Sequence, residues 1–163
     1  MNRAALFVLS TAVLLSSCSN DDTNGPFSFS GSCDVFDVED TTLDTDPANV
    51  SRFEVTANCN MGSEIGTTGA VVDFVITAND VDNSIIVTGQ GFYSASQTDI
   101  LVSEIEGTGT IVSASTFNFS ANESYDGGTN DFDDLFGSGE ITGGTITITA
   151  PGSGGWTVQG DIL

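Results

Sequence analysis

From residue 27 onward, apolar and polar residues alternate with a period of two, and the alternation stops at clusters of Gly, Asn, Asp and Ser. The clearest run covers residues 154–163, where Trp156, Val158 and Ile162 alternate with polar residues. No long segment has the 3.6-residue period of a helix. The pattern therefore predicts an all-β domain of about eight strands. The predicted strands are residues 27–35, 52–59, 72–77, 83–95, 98–106, 109–120, 138–149 and 154–163.

Short connections rich in Gly, Asn and Asp join neighbouring strands, as hairpin turns do. They are Asn79–Asn83, Glu106–Gly109 and Pro151–Gly155. Sequential hairpins predict an antiparallel meander, and eight long strands can close into a barrel that has no exposed edges. We therefore expect a closed or nearly closed barrel, while a two-sheet β-sandwich fits the same pattern almost as well.

Two longer acidic segments interrupt the meander. Residues 39–49 predict one acidic loop, and residues 121–137, which include Glu123, predict a second loop with its acidic side in solvent. Within the second loop, three apolar residues share one face of a helical turn: Phe132, Leu135 and Phe136. Asn130 would cap the start of this turn and Gly137 its end, so that the aromatic residues form a plug or a lid on the barrel.

Cys33 and Cys59 fall in phase with the apolar residues of their strands, so both side chains are expected to point inward. In an exported protein, which folds under oxidising conditions, the default for such a pair is a disulfide bond. Closing a loop of about 27 residues stabilises a protein by about 3–4 kcal/mol in the chain-entropy model. A redox-active pair is the alternative, but such pairs usually have Cys-x-x-Cys spacing, which these cysteines do not.

The first 17 residues have the three parts of an export signal: a positive start at Arg3, an uncharged apolar stretch over residues 4–15, and small residues before Cys18. The apolar stretch is shorter than the ~20 residues that a transmembrane helix needs. The segment Leu15-Ser16-Ser17-Cys18 resembles the lipobox of bacterial lipoproteins. This resemblance implies cleavage before Cys18 and a lipid on its thiol, whereas an ordinary secretory signal with an incidental cysteine is the alternative.

On this interpretation the chain has three parts: a signal peptide at residues 1–17, a lipidated cysteine with a flexible tether at 18–26, and a single all-β domain at 27–163. Asp21 and Asp22 loosely resemble the surface-export signal of lipoproteins from the Bacteroidota, although a solvated tether explains them equally well. The lipoprotein resemblance implies attachment to the bacterial outer membrane or cell surface.

Arg3 and Arg52 are the basic residues of the chain, against 23 aspartates and glutamates, and the net charge is −21. Nucleic acid is therefore not expected as a partner, since phosphate binding rests on lysine and arginine. A polybasic attachment to anionic lipid is excluded for the same reason, so the membrane contact would depend on the lipid of Cys18. A saline habitat explains the acidic composition, and calcium binding or a cationic partner is the alternative.

Calcium prefers several oxygen ligands, and one acidic segment is rich in them. The candidate ligands of this segment are Asp126, Asp131, Asp133 and Asp134. Their spacing does not match the EF-hand loop, so the sequence predicts a weak Ca²⁺ site and no other cofactor. A second weak candidate consists of Asp40, Asp44 and Asp46.

The composition argues against an enzyme. The chain has no histidine or lysine to activate a serine or to form a Schiff base, and its three cysteines are assigned to the lipid and the disulfide. Glu104 and Glu106 lie on one face of a predicted strand, faintly like the acidic motif of jelly-roll glycosidases, but Gly107–Gly109 stands where the third acid would be. We expect no catalytic residues.

Two functions remain open at the level of sequence. The first is a structural or interaction lipoprotein whose barrel offers its outer surface to another envelope protein. The second is a lipocalin-like carrier that binds a small apolar ligand or lipid inside the barrel. Lipocalins place a Gly-x-Trp motif at the start of their first strand, whereas here Gly155-Trp156 opens the last one, so the resemblance is architectural only.

Overall fold

A computed structural model of the chain describes residues 27–63, 69–94, 99–149 and 151–163. These residues form eight β-strands and one short 3₁₀ helix, Asn130–Phe132. The strands are β1 (Phe27–Asp40), β2 (Val50–Ser63), β3 (Gly69–Asn79), β4 (Ser84–Ser94), β5 (Ile100–Ser113), β6 (Thr116–Gly128), β7 (Phe136–Thr147) and β8 (Ser153–Ile162).

The eight strands form a closed antiparallel barrel. Each strand pairs with the next along the chain, and β8 pairs with β1 to complete the ring. The predicted meander and its closure are therefore confirmed, and the sandwich alternative is wrong. Closure follows from the period-two pattern, because every strand has one apolar face that can point into a common interior.

The predicted pairing of the two cysteines is confirmed by the register of β1 and β2. Cys33 lies directly opposite Cys59, and the two sulfur atoms are at disulfide-bonding distance. Both side chains are buried and belong to the single hydrophobic core of the barrel. The bond joins the two strands on either side of the connection at residues 41–49. The acidic loop is predicted at 39–49, but Glu39 and Asp40 belong to β1.

The hairpin predicted at Glu106–Gly109 is wrong, because β5 runs through these residues to Ser113 and turns at residues 114–115. Gly107 and Gly109 are extended and lie against the neighbouring strand. A Cβ atom at Gly107 would lie 2.4 Å from the carbonyl oxygen of Ser120, and one at Gly109 would lie 2.0 Å from that of Asn118. These glycines permit close approach of β5 to β6 rather than a turn.

The acidic loop predicted at residues 121–137 is wrong over its first half. β6 continues to Gly128, and its burial alternates strictly along the strand. Ala121, Glu123 and Tyr125 all point inward, so Glu123 lies inside the barrel and not on a solvated acidic face. Residues 129–135 form the actual connection.

The predicted helical turn is present only in part. Phe132 and Leu135 are buried, as expected of a plug, but Phe136 is 54% exposed and begins β7. Asn130 is the first residue of the 3₁₀ helix, with φ of 50°, rather than its cap, and Gly137 lies within β7. The i, i+3, i+4 pattern fails because the turn tightens to 3₁₀ geometry and the chain becomes extended after Leu135.

The antiparallel meander gives the barrel two distinct ends. At the N-terminal end, β1 begins at Phe27 and the 3₁₀ helix closes over the core. The opposite end, here called the distal end, carries the connections at residues 41–49, 80–83 and 114–115 and the one that joins β7 to β8. The predicted turns at 79–83 and 151–155 both lie at the distal end, where β4 begins at Ser84 and β8 at Ser153.

Candidate functional site

The residue that carries the lipoprotein prediction lies outside the described residues. Cys18, together with the predicted signal at 1–17 and tether at 18–26, precedes Phe27, where the described structure begins. The lipidation of Cys18 therefore stays a prediction. Among the described residues, no helix is both long and apolar enough to cross a membrane.

Among the described residues, side chains of neighbouring strands occupy the barrel interior even above inward positions that are glycine. A Cβ atom on Gly144 would lie 2.3 Å from the ring of Phe119, and one on Gly160 would lie 2.7 Å from the ring of Phe29. Gly91 is similarly covered by Tyr93, 2.8 Å from its ideal Cβ. The inward glycines therefore provide the space that large aromatic side chains of neighbouring strands occupy.

The aromatic side chains also contact one another across the interior. Trp156 lies with its ring centroid 5.2 Å from that of Phe74 and 5.6 Å from that of Phe119. The indole is 3% exposed, and its Nε1 has no hydrogen-bond partner. An unpaired buried donor costs about 1–3 kcal/mol, which the aromatic packing around the ring must offset.

The most unusual group in the interior is a cluster of polar side chains around Glu123, which is 2% exposed. Its Oε1 atom accepts hydrogen bonds from the Tyr93 hydroxyl at 2.5 Å and from the Ser103 hydroxyl at 3.4 Å. Its Oε2 atom accepts a hydrogen bond from the Tyr125 hydroxyl. The donors come from β4, β5 and β6, so one carboxylate links three neighbouring strands.

The register of the strands explains why this cluster fits. Ser103 on β5 lies opposite Gly91 on β4 and opposite Tyr125 on β6. Because Gly91 has no side chain, the Tyr93 ring and the Ser103 hydroxyl can occupy the space above it, where a Cβ would lie 2.6 Å from the serine oxygen. On the other side, Gly139 leaves room for the Tyr125 hydroxyl, 3.0 Å from its ideal Cβ.

Burial controls the protonation of the cluster. Desolvation raises the pKa of Glu123 above its usual value, and the hydrogen bonds from Tyr125, Tyr93 and Ser103 partly oppose this by stabilising the carboxylate. Burial also raises the pKa of Tyr93 and of Tyr125, and the negative charge of Glu123 adds to the effect. Both phenols therefore remain neutral donors at physiological pH.

This geometry fits a structural role better than a catalytic one. All three donors point at the carboxylate, and the cluster lies beneath Phe29, whose ring centroid is 5.4 Å from that of Tyr125. The Glu123 side chain is 2% exposed, and Glu123 also borders a groove that opens between β6, β7, β8 and β1. One sequence signal could have located Glu123: it lies two residues from Ala121 and two from Tyr125, so in a strand all three point to the same, inward side.

The candidate calcium ligands do not form a cluster among the described side chains. Asp126 is exposed near the end of β6, and Asp133 and Asp134 are exposed after the 3₁₀ helix. The side chain of Asp131 lies outside the described residues. Among the side chains that are described, no three acidic or other metal-binding groups come together. Calcium binding here stays a prediction.

Two aspartates of the second candidate instead stabilise the loop that contains them. The Asp40 carboxylate accepts a hydrogen bond from the backbone N–H of Thr42 at 2.9 Å, and hydrogen bonds from Thr42 lower the pKa of Asp40. The Asp46 carboxylate accepts hydrogen bonds from the N–H of Leu43 and from Nε of Arg52, each at 3.0 Å. These contacts lower the pKa of Asp46, the Leu43 hydrogen bond most strongly.

Two open grooves lie on the outer wall of the barrel, with volumes of about 720 and 740 Å³. One runs over β6, β7, β8 and β1, the other over β4 to β7, and both are bordered by Asn122 and Glu140. The first groove is also lined by Phe29 and Glu123, and the second by Ile86 and Ile141.

Glu106 points outward into the second groove, and Glu104 is also exposed on the outer wall, so the predicted shared face of these two residues is confirmed.

No protein-family model matches this chain, and no curated protein matches its sequence. The assignment of function therefore depends on the residues themselves: an interior packed with aromatic side chains, a buried polar cluster around Glu123 and an acidic outer surface.

Proposed function

We propose that this protein is a lipid-anchored lipoprotein of the bacterial cell envelope that acts through its outer surface and carries out no catalysis. The lipid on Cys18 attaches it to the outer membrane or cell surface, and the barrel is a stable body that contacts another envelope protein. The anchor rests on the lipobox-like segment at residues 15–18.

The observation that supports action through the outer surface is the close packing of the described interior side chains. A carrier of apolar ligands needs an internal cavity, and pockets for such ligands typically have volumes of about 300–1,000 Å³. In this barrel the rings of Phe29, Tyr93 and Phe119 occupy the spaces above inward glycines. The packing therefore favours the interaction lipoprotein over the lipocalin-like carrier.

The anchor is tested by fractionation of the cells that make the protein, with wild type compared with Cys18→Ser. We expect wild type in the membrane fraction, labelled after growth with a radioactive fatty acid. The variant should carry no label and leave the membrane fraction, or accumulate with its signal uncleaved. Unlabelled wild type would contradict the proposal.

A control separates the anchor from the fold. Cys33→Ala combined with Cys59→Ala removes the disulfide but leaves the lipid site intact, so this double variant should still be labelled and remain with the membrane. Loss of label in this control would show that the assay reports folding rather than lipidation.

A further inference from the structure

Apolar side chains are exposed in or beside three connections at the distal end. Leu43 is 60% exposed in the connection at 41–49, Val81 is 79% exposed in the turn at 80–83, and Val112 is 58% exposed beside the turn at 114–115. We call these three residues the distal apolar tips.

Folding does not account for the most exposed of them. The turn that joins β3 to β4 otherwise contains Asp80, Asp82 and Asn83, which are typical turn residues. Val81 is β-branched and favours strands over turns. At 79% exposure its side chain contributes little burial to the core. A polar residue would serve the turn at least as well.

Three hydrogen bonds hold the loop that displays Leu43. The N–H of Leu43 donates to Oδ2 of Asp46 at 3.0 Å, and the N–H of Asp46 donates to the carbonyl oxygen of Leu43 at 2.9 Å. Arg52 on β2 donates from Nε to the same Oδ2 atom, also at 3.0 Å. An ion pair with the neighbouring strand thus fixes the turn that Leu43 occupies.

The three connections are also joined to one another. Asn79 Oδ1 accepts hydrogen bonds from Asn49 Nδ2 at 2.9 Å and from the N–H of Val81 at 3.0 Å. The N–H of Asp80 donates to the carbonyl oxygen of Asn49 at 3.0 Å, and that of Ile111 donates to the carbonyl oxygen of Asn83 at 3.2 Å. A surface held in this way loses little conformational entropy when a partner binds.

Charge determines which partner this surface fits. Asp80 and Asp82 flank Val81, and Asp44 follows Leu43. Arg52 is the basic residue of this end, and Asp46 pairs with it. A second copy of this acidic chain, or an anionic lipid surface, would be repelled. A protein with lysine or arginine around an apolar recess would be attracted, and its recess would exclude water from the apolar tips.

We propose that the distal apolar tips are the docking surface for a partner protein that has a basic surface around an apolar recess. The proposal builds on the proposed function, since it identifies the part of the outer surface that such a lipoprotein would use. The tips also lie at the opposite end of the barrel from Phe27, where the chain arrives from Cys18.

The test uses the full lipidated chain in nanodiscs of zwitterionic lipid, with empty nanodiscs as the baseline. Three fluorescent peptides of equal length are the probes: one alternates Lys and Leu, one contains Lys with Ser in place of Leu, and one alternates Glu and Leu. We expect the Lys–Leu peptide to bind at least tenfold more tightly than either of the others by fluorescence anisotropy.

Variants locate the binding site. Leu43→Ser combined with Val81→Ser should weaken binding of the Lys–Leu peptide at least tenfold. Phe136→Ser is the matched control, because Phe136 is 54% exposed at the N-terminal end, and it should leave binding unchanged. Circular dichroism of each variant checks the fold, which these exposed residues should not affect.

Several outcomes would overturn the proposal. Equal binding of the Lys–Leu and Lys–Ser peptides would show attraction by charge alone, and equal losses in the double variant and in Phe136→Ser would show unspecific apolar contact. Self-association, or binding to vesicles of anionic lipid, that the double variant abolishes would assign the tips to another occupant. An unlabelled Cys18 would overturn the anchor but not the docking surface, so the two failures are distinguishable.

Discussion

At the scale of single residues, Glu123 occupies the environment that least suits its side chain. Most carboxylates of this chain are exposed, whereas Glu123 is buried and accepts hydrogen bonds from Tyr93, Ser103 and Tyr125. Removing a buried carboxylate is costly mainly because its donors are left without an acceptor. A neutral amide of the same shape would keep an acceptor in place.

We therefore expect Glu123→Ala to lower the free energy of unfolding by about 2–5 kcal/mol. Glu123→Gln should stay within about 1.5 kcal/mol of wild type, because the amide oxygen still accepts a tyrosine hydrogen bond. Urea denaturation at pH 7 measures both values. Equal losses in the two variants would contradict a role for the hydrogen bonds.

The difference in stability between wild type and Glu123→Gln should change with pH in a definite direction. Burial raises the pKa of Glu123 in the folded state above 4.5, the usual value of a glutamate, so the folded protein binds the proton more tightly than the unfolded chain. The contribution of Glu123 to stability is thus complete below pH 4.5 and is lost as the pH rises through the folded pKa. Relative to wild type, Glu123→Gln should gain stability over that interval, and a constant difference would contradict the raised pKa.

The tyrosines provide a second test at this scale. Tyr93 and Tyr125 are the two tyrosines of the chain, and burial raises the pKa of both above 10. Ultraviolet difference spectroscopy should therefore show no tyrosinate near pH 10 while the protein is folded. Both should ionise together when the barrel unfolds in stronger alkali, and a separate earlier ionisation of either would contradict the closed cluster.

At the scale of elements, the alternation of apolar and polar residues predicts most of the barrel, and its errors have one physical cause. Inward positions do not have to be apolar. Gly107 and Gly109 occupy inward-facing positions of β5, and Glu123 occupies an inward-facing position of β6. In a sequence, however, glycine is typical of turns and glutamate is typical of solvent-exposed positions. A prediction based on apolar side chains therefore ends β5 too early and places Glu123 of β6 in a loop.

The closed Glu123 cluster could not be predicted for a further reason. Its partners Tyr93 and Ser103 lie 30 and 20 residues away along the chain, and only the barrel register brings them together. The cysteine pair, by contrast, was predictable, because Cys33 and Cys59 both fall in phase with the inward apolar residues of their strands. The lipid site remains a prediction from the sequence alone.

The close approach of β5 to β6 gives a prediction for an element. Gly109→Ala places a methyl group 2.0 Å from the carbonyl oxygen of Asn118, so one strand must shift. We expect a loss of about 2–4 kcal/mol in the free energy of unfolding. Thr110→Ala, at the exposed neighbouring position, is the control and should change it by less than about 0.5 kcal/mol. A tolerated Gly109→Ala would mean that the glycine serves no packing purpose.

At the scale of the whole molecule, the net charge of −21 should oppose folding through repulsion between carboxylates. Salt screens this repulsion, since the Debye length falls from about 30 Å at 0.01 M to about 3 Å at 1 M. The melting temperature should therefore rise with sodium chloride. No rise would contradict a repulsive surface.

Calcium chloride at matched ionic strength extends this test to the predicted site. A specific site would raise the melting temperature beyond the effect of sodium chloride, and replacing Asp131, Asp133 and Asp134 with Asn would abolish the excess. Identical melting temperatures in the two salts would dispose of the calcium prediction and leave screening as the explanation.

The proposed function depends on a lipid on Cys18 and on a barrel interior that holds no ligand. Native and intact mass spectrometry of protein purified from its own cell envelope tests both parts in one measurement. We predict a mature chain that begins at Cys18, carries two or three acyl chains, and retains no small molecule after gentle release. An unacylated Cys18 would contradict the anchor, and a stoichiometric apolar ligand would contradict an interior that holds no ligand.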